Sequence, residues 1–320
     1  MVRILVTGVT GFHGYHVSRR LAERGYDVYG LVRHTSQGKK VPENVRIVEG
    51  DLTDSTSIVE VIRSVKPNIV VHLAALTPVS KSFDQPDVYA VTNYIGTIHL
   101  FEAWRRIVPL SERVGFIYAS TSECYGQQDR FPITEDAPLR PNTPYAVSKY
   151  AAEAYLRFYG YEELHEPVVI SVPFNSYGRA YVGQRHFVIE RILSSLAEGR
   201  REIELGDPTP IRDFVFREDI VRAYELLVEK LIADPLAAVG QRFNFCTGRG
   251  VSIGELVEII RRVTGIDFGV KWNVHRRPAD IKVLIGSYYK ALRVLGWYPR
   301  YSLEEGLAIA FREWQEVLGR

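Results

Sequence analysis

Two short segments contain residue types that could couple an oxidation to proton transfer. In the first, Tyr145 and Lys149 stand four residues apart, directly after Thr143 and Pro144. A helix that begins at this proline places both side chains on one face, with the lysine ammonium positioned to favour the tyrosine phenolate. Because a free phenol has a pKa of about 10, a neighbouring cation is what makes tyrosine usable as a base near neutral pH.

The second segment, Thr121-Ser122-Glu123, supplies a carboxylate that simple hydride transfer does not need. Glu123 could remove a proton from a carbon next to a newly formed carbonyl, and Thr121 could orient the oxygen that becomes this carbonyl. Ser122 could assist proton delivery to a departing hydroxyl, although a hydroxyl is a weak acid for this task. The structural alternative for Glu123 is a solvated or salt-bridged residue at the end of a strand.

A glycine-rich segment, residues 8–14, follows the strand-like residues 2–7 and opens a helical pattern. Gly8 and Gly11 permit a tight turn and close approach to a pyrophosphate at the positive end of the helix, and Gly14 permits close helix packing. His13 is interpreted as a packing or capping residue rather than a catalyst. The residues of this segment predicted to bind a dinucleotide cofactor are Gly8, Thr10, Gly11, Phe12, His13 and Gly14.

The end of the second predicted strand bears on the type of dinucleotide. An acidic residue there would bind the adenosine ribose hydroxyls of NAD, whereas this chain has Val32-Arg33-His34. Arginine suits a 2′-phosphate, so NADP is favoured over NAD; the alternative is an exposed basic loop. Residues after the third and fourth predicted strands fall where the adenine and nicotinamide portions would pass: Asp51, Leu52, Leu73, Ala74 and Ala75.

Short apolar runs alternate with amphipathic stretches and would position these residues. Apolar runs occupy 2–7, 27–32, 45–48, 69–73, 116–120 and 168–172, and amphipathic stretches include 15–24, 55–65 and 88–107. This alternation is typical of an α/β fold with a Rossmann-type doubly wound parallel sheet, whose ligands lie beyond the carboxyl ends of the strands.

After residue 173 the alternation loosens, and we expect a smaller mixed α/β carboxyl-terminal lobe for the substrate. The predicted division assigns 1–173 and 213–250 to the dinucleotide lobe, and 174–212 and 251–320 to the substrate lobe.

Composition excludes several classes of function. The 320 residues carry a formal charge of +2 without a dense basic run, which argues against a nucleic-acid partner. Residue 2 begins a strand-like run with no signal-peptide pattern, and no apolar run is as long as a membrane span, so we expect a cytoplasmic protein that does not contact a membrane. Cys124 and Cys246 lack the spacing of metal ligands and are expected to be buried thiols, and no metal site is predicted.

The glycine segment, Asp51-Leu52, His72-Leu-Ala-Ala75 and Tyr145-x-x-x-Lys149 occur in an order that resembles the extended short-chain dehydrogenase/reductase family over essentially the whole chain. Within that family, Thr121-Ser-Glu-Cys-Tyr-Gly126 is similar to the Thr-Ser-Glu-Leu-Tyr-Gly string of the GDP-mannose 4,6-dehydratases. The resemblance implies a Rossmann-type lobe with bound NAD(P), with Thr121, Tyr145 and Lys149 around the nicotinamide. It also implies a carboxyl-terminal lobe that holds a nucleotide-diphosphate sugar.

The second half of the chain departs from this match. Pro173-Phe-Asn175 and Arg277-Pro-Ala-Asp280 are at least as similar to the 4-keto-6-deoxymannose reductases, which also use GDP-linked sugars. The family positions imply phosphate binding by Arg212 and Arg277, ribose contact by Asp280, and approach of Asn175 to the sugar diphosphate. Surface charge is the alternative for the two arginines.

The resemblance favours a lyase that converts GDP-mannose to GDP-4-keto-6-deoxymannose by internal hydride transfer through bound NADP. A reductase of the 4-keto-6-deoxy sugar and a nucleotide-sugar 4-epimerase are the alternatives, and the sequence does not fix the base or the sugar. The resemblance also implies a homodimer through the helices that contain 88–107 and 145–159. A homotetramer through the loop at 33–36 is the alternative assembly.

Overall fold

The computed structural model describes residues 1–36, 40–179, 187–273 and 280–317. Its strands are β1 (Arg3–Thr7), β2 (Asp27–Val32), β3 (Arg46–Glu49), β4 (Ile69–His72), β5 (Gly115–Ala119), β6 (Val168–Pro173), β7 (Asn175–Tyr177), β8 (Glu202–Glu204), β9 (Ile211–Phe216), β10 (Arg242–Phe245), β11 (Gly250–Ser252), β12 (Gly269–Lys271) and β13 (Val283–Leu284). Its α-helices are α1 (Phe12–Glu23), α2 (Ser55–Val65), α3 (Val79–Asp84), α4 (Pro86–Tyr89), α5 (Gly96–Ile107), α6 (Pro144–Ala154), α7 (Val188–Ala197), α8 (Arg217–Ala233), α9 (Ile253–Thr264), α10 (Tyr289–Leu295) and α11 (Leu303–Val317).

The larger sheet is parallel and, within the described residues, has seven strands in the order β10-β6-β5-β4-β1-β2-β3. Strands β4 and β5 are buried along their whole length, as expected for a parallel sheet that is covered by helices on both faces. The strand order reverses between β1 and β4, and the crevice at the carboxyl ends of such neighbours is where these sheets bind ligands. The predicted Rossmann-type fold is confirmed.

Local sequence accounts for the helices that cover the sheet, as α2 illustrates. Asp54 caps this helix by accepting a hydrogen bond from the Thr56 N–H at 2.9 Å. Ile58, Ile62 and Val65 recur at helical spacing and are buried. The predicted stretch 55–65 therefore coincides with the observed helix.

The stretch predicted over 88–107 is interrupted. It contains the end of α4, a π-helical segment over Ala90–Ile95, and then α5. The side chain of Asn93, which lies in this segment, forms hydrogen bonds with the backbone of Leu76 and the hydroxyl of Ser148. π-Helical turns inside α-helices are frequently found at functional sites.

A second group of strands forms the smaller sheet, in which β9 pairs with β7, β11 and β13. A separate apolar cluster covers it, and its buried members include Ile192, Leu256, Leu307 and Trp314. The predicted lobe boundary at residue 213 falls inside β9, which pairs with strands of the smaller sheet on both sides of that residue. Strand β10 joins the larger sheet beside β6.

No described helix combines the length and the apolar composition that would let it cross a bilayer.

Candidate active site

A cavity of about 1420 Å³ lies between the two sheets, at the carboxyl ends of β1, β4, β5 and β6. Every predicted site residue that the structure describes lines it, and Arg277 lies outside the described residues. The predicted residues on its walls are Gly8, Thr10, Gly11, Phe12, His13, Gly14, Arg33, Asp51, Leu52, Leu73, Ala74, Ala75, Thr121, Ser122, Glu123, Tyr145, Lys149, Asn175, Arg212 and Asp280.

The glycine segment forms a turn that leaves no space for side chains. The Gly11 N–H donates to the Gly8 carbonyl at 2.8 Å, and Gly8 has a φ of 73°. A Cβ at Gly14 would lie 2.1 Å from the Gly8 oxygen, and one at Gly8 would lie 2.8 Å from the Ala74 nitrogen. No side chain caps the start of α1, so its first N–H groups face the cavity as an anion site. These residues therefore fit the pyrophosphate of a dinucleotide.

His13 connects this turn to the smaller sheet. Its Nε2 lies 2.6 Å from the Ser176 hydroxyl on β7. Burial lowers the pKa of His13 to about 4, so the imidazole is neutral near pH 7. No local sequence pattern indicates this contact, because the two residues are 163 positions apart.

The adenosine end of the predicted cofactor site is defined by two segments. Arg33 is exposed directly after β2, where a 2′-phosphate would be reached. The Asp51 carboxylate accepts from the Thr53 N–H at 2.9 Å and from its hydroxyl at 2.8 Å, so Asp51 shapes its own turn. Leu52 is buried beside it.

Helix α6 presents Tyr145 and Lys149 to the cavity. Thr143 caps the helix by accepting from the Ala146 N–H at 3.1 Å, and Pro144 occupies its first turn. Both predicted catalytic side chains are buried, and the Lys149 ammonium lies 4.2 Å from the centre of the Tyr118 ring.

Burial dominates the ionisation of both residues. It lowers the pKa of Lys149 to about 7, and the nearby Cys124 and Glu153 side chains act in the opposite direction. It raises the pKa of Tyr145 above its ordinary value, and a hydrogen bond with Thr121 acts in the opposite direction. In the protein alone, desolvation therefore outweighs the predicted ability of the lysine to favour the phenolate.

The segment 121–123 follows β5 and forms a short 3₁₀ turn over Ser122–Tyr125. The Thr121 hydroxyl accepts from the Glu123 N–H at 3.3 Å, which fixes the start of the turn. Ser122 is buried and Glu123 is half-buried, and both line the cavity with Tyr145. Because the charge of Glu123 contributes to the raised pKa of Tyr145, the two groups are electrostatically coupled.

A buried ion pair that the sequence did not reveal lies behind this turn. Arg242 Nε lies 3.1 Å from the Glu153 carboxylate, and both side chains are almost fully buried. Ser120 donates a hydrogen bond to the same carboxylate. Glu153 stands one helical turn after Lys149, a spacing that could have drawn attention to it, whereas Arg242 is brought in by strand β10.

The three predicted substrate-binding residues that the structure describes, Asn175, Arg212 and Asp280, lie on the smaller-sheet side of the cavity. Arg212 is buried and forms an ion pair with Asp280 at 2.8 Å. Asn175 donates to the Asp213 carbonyl at 3.4 Å. The guanidinium predicted to bind phosphate is thus held in place by the carboxylate predicted to contact ribose.

The chain matches one family model, described as GDP-mannose 4,6 dehydratase, over residues 5–310. Among curated proteins, it is 30% identical over 333 residues to GDP-mannose 4,6 dehydratase 2 of Caenorhabditis elegans, covering 94% of this chain and 86% of that protein.

Solved structures are similar to this chain over nearly its whole length. A UDP-glucose 4-epimerase of Thermus thermophilus in complex with NAD is 28% identical, with a TM-score of 0.86 over 98% of this chain and 99% of that one. A structure named RMD from Pseudomonas aeruginosa, in complex with NADPH, is 26% identical, with a TM-score of 0.79 over 99% of this chain and 98% of that one.

Proposed function

The chain belongs to the GDP-mannose 4,6-dehydratase family, among the extended short-chain dehydrogenases/reductases, and from this premise we propose that it is a nucleotide-sugar 4,6-dehydratase that converts GDP-mannose to GDP-4-keto-6-deoxymannose. One observation carries the choice of a dehydratase: Glu123 lines the same cavity as Tyr145, Lys149 and Thr121. A reaction that only moves hydride does not need this carboxylate.

The proposed chemistry assigns each of these residues one task. Thr121 holds the sugar O4, and Tyr145 removes its proton while the C4 hydrogen leaves as hydride. The new ketone acidifies the C5 proton, which Glu123 takes as water is eliminated and gives back to C5 when hydride is added at C6. Ser122 assists the departure of the C6 hydroxyl as water, directly or through a bridging water. Lys149, when it is protonated, supplies positive charge next to the phenol.

The cofactor proposed for this site is NADP rather than NAD, and when bound it would supply reversible hydride transfer. The glycine turn and the start of α1 fit its pyrophosphate, because Gly8 and Gly14 leave room only for backbone. The exposed Arg33 after β2 supports a 2′-phosphate.

The diphosphate of the sugar nucleotide is assigned to the side of the cavity that contains Arg212. This guanidinium is buried, and Asp280 holds it in a fixed orientation. A planar, pre-oriented guanidinium suits phosphate oxygens. Asn175 lies on the same side and is assigned to the sugar diphosphate, and Arg277 keeps the phosphate-binding role implied by its family position.

Two alternative reactions would use the same residues except the Glu123 carboxylate. In a 4-epimerase the keto sugar rotates within the site and is reduced from its other face. UDP-glucose 4-epimerase is the name of one of the similar structures. In a reductase, NADPH is consumed to reduce an existing 4-keto group. Neither reaction requires a carboxylate at position 123.

Incubation of the pure protein with GDP-mannose and a catalytic amount of NADP tests the proposal. Mass spectrometry should show the loss of one water without added reductant. A product with the same mass as the substrate would support the epimerase. The reductase would be supported if a product formed only when a 4-keto sugar and stoichiometric NADPH were supplied. Either outcome would overturn the lyase assignment.

A further inference from the structure

A chain of buried hydrogen bonds runs beneath the predicted cofactor site, from the end of β1 to the first turn of α6. His72, the last residue of β4, lies at its centre and is 1% exposed. His72 Nδ1 lies 2.7 Å from the Thr7 hydroxyl, and Nε2 lies 2.9 Å from the Thr97 hydroxyl. His72 does not line the cavity, so ligand contact does not explain it.

The proton positions in this chain follow from its partners. The Thr97 hydroxyl lies 2.6 Å from the Asn93 carbonyl, which only accepts, so this hydroxyl donates to it. The Thr97 oxygen can then only accept a hydrogen bond from His72, so Nε2 of His72 must carry the proton. Burial lowers the pKa of His72 to about 3, so the ring is neutral and Nδ1 is an acceptor. The Thr7 hydroxyl therefore donates to Nδ1.

Because the Thr7 hydroxyl donates its proton to His72, the Thr7 oxygen can act only as an acceptor toward its other neighbours. It accepts from the Leu73 N–H at 3.1 Å and from the Ala74 N–H at 3.0 Å. These bonds connect the ends of β1 and β4 at the place where the strand order reverses. They also set the close approach of Gly8 to Ala74, both of which line the cavity.

The far end of the chain reaches the catalytic helix. The Asn93 amide accepts from the Leu76 N–H at 2.8 Å and donates to the Leu76 carbonyl at 3.1 Å and to the Ser148 hydroxyl at 3.0 Å. Ser148 in turn donates to the Tyr145 carbonyl at 2.8 Å. The turn that starts the dinucleotide site and the helix that carries Tyr145 are thus connected through His72.

We propose that His72 is a positioning residue that holds the floor of the β1–β4 crevice and the start of α6 in one arrangement, through a neutral ring protonated on Nε2. Its role is to fix the Thr7 hydroxyl as a donor, so that the oxygen accepts the two backbone N–H groups. The proposal rests on the dinucleotide-binding part of the proposed function and is independent of the sugar and of the reaction.

The binding test compares Thr7→Val, which removes the hydroxyl at nearly constant shape, with Thr7→Ser, which keeps it. We expect Thr7→Val to weaken the binding of NADPH or NADH, whichever the wild type binds more tightly, by about tenfold, in line with the loss of a buried hydrogen bond. Thr7→Ser should bind within about twofold of wild type. Equal affinities of the two variants would overturn the proposal.

Ser171→Ala is the matched control for general destabilisation. Ser171 is a buried hydroxyl in the same sheet, 2.8 Å from the Tyr224 hydroxyl, and it does not line the cavity. This variant should lower the unfolding temperature and leave dinucleotide affinity unchanged. A loss of affinity equal to that of Thr7→Val would assign the effect to fold stability and contradict the proposal.

A second readout needs no ligand and separates this proposal from the proposed function. ¹⁵N NMR of histidine-labelled wild-type protein should show His72 as the neutral Nε2–H tautomer from pH 7 down to pH 5, with the resonance assigned by its loss in His72→Gln. A Nδ1–H tautomer or a protonated ring would contradict the proposal even if dinucleotide binds. If neither NADPH nor NADH binds, the proposed function is contradicted, while the tautomer result still decides this inference.

Discussion

Tyr145 and Lys149 share one face of α6, and burial acts on their ionisation in opposite directions. The lysine loses its proton more easily than in water, and the tyrosine holds its proton more tightly. Both effects favour neutral side chains, because a charge is costly in an environment without water. A positive charge that arrives next to the phenol on ligand binding would lower the pKa of Tyr145 and prepare it as a base.

Buried Lys149 should make the free energy of unfolding depend on pH. Its pKa in the folded chain, about 7, lies below the ordinary 10.5, so the unfolded chain binds more protons between these values. The contribution of Lys149 to the free energy of unfolding therefore rises with pH across this window, by up to about 1.4 kcal/mol per pH unit. Lys149→Met should be more stable relative to wild type at pH 7 than at pH 9.

Urea unfolding of both proteins at pH 7, 8 and 9 measures this difference. Lost packing of the apolar stem shifts the comparison by the same amount at each pH, so only the slope matters. A difference that does not change with pH would show that Lys149 keeps its proton when buried.

Glu123→Gln separates the two halves of the proposed reaction. Glutamine keeps the size and polarity of the side chain but takes no proton from C5, so elimination should slow by at least about a hundredfold. Binding of GDP-mannose should stay within about twofold of wild type, and reduced cofactor should accumulate because oxidation at C4 still occurs. Absorbance of the reduced nicotinamide and calorimetric titration measure these effects.

Glu60→Gln, an exposed substitution on α2, is the matched control and should behave as wild type. Normal turnover in Glu123→Gln would remove Glu123 from the mechanism.

At the scale of elements, the turn from β1 into α1 tolerates no side chain at Gly14. A methyl group there would overlap the Gly8 carbonyl, which is backbone and has no alternative rotamer. Gly14→Ala should therefore abolish dinucleotide binding and lower the unfolding temperature. Gly254→Ala, a glycine in the first turn of α9 whose added methyl meets only ordinary contacts at 3.6 Å or more, should leave binding unchanged.

Dinucleotide titration and thermal unfolding of both glycine variants provide the comparison. Wild-type affinity in Gly14→Ala would mean that the turn rearranges and that its present geometry does not define the site.

The elements that sequence patterns predicted well are those whose signals are local. The boundaries of α2 and of strand 27–32 were predicted to the residue, because apolar spacing and a capping aspartate act over a few positions. The π-helical segment inside 88–107 was not predicted, and the side chain of Asn93 within it bonds to a residue 17 positions away, a contact that has no local sequence signal.

The same distinction applies to the cavity. The glycine turn and the segment 121–123 were predicted to line one site because each follows a strand of a parallel sheet. The pair Tyr145 and Lys149 was placed there by the family resemblance. The pairing of Arg212 with Asp280 depends on residues 68 positions apart, and that of Glu153 with Arg242 depends on which strand lies next to β6. Such pairs are determined by tertiary packing and have no local sequence signal.

At the scale of the whole molecule, contacts between the two groups of strands set the shape of the cavity. His13 on α1 meets Ser176 on β7 at one side of it. Arg217 at the start of α8 pairs with Glu313 on α11 at 2.8 Å. These contacts keep the predicted cofactor and sugar sides of the cavity facing each other, as hydride transfer between them requires.

The outer face of the helices next to the site predicts how copies of the chain associate. Val88, Val91 and Ile95 are each more than a third exposed, and so are Val147 and Phe158 on and after α6. Exposed apolar residues clustered on neighbouring helices indicate an interface, in agreement with the dimer implied by the family. Val91→Glu should shift the protein from dimer to monomer, as measured by sedimentation velocity.

Leu236→Glu is the control, because this leucine is 90% exposed in the short turn Pro235–Ala237, far along the chain from these helices. A monomeric wild type, or a dimer that persists in Val91→Glu, would contradict the predicted interface.

The fate of the hydride tests the proposed reaction most directly. GDP-mannose that carries deuterium at C4 should lose one water when incubated with the protein and a trace of unlabelled NADP, and NMR of the product should locate the deuterium at C6. This result requires that one bound cofactor accepts the hydride from C4 and returns it to C6. Deuterium retained at C4 of an isomer, or lost to the cofactor pool, would contradict internal transfer and with it the assignment as a dehydratase.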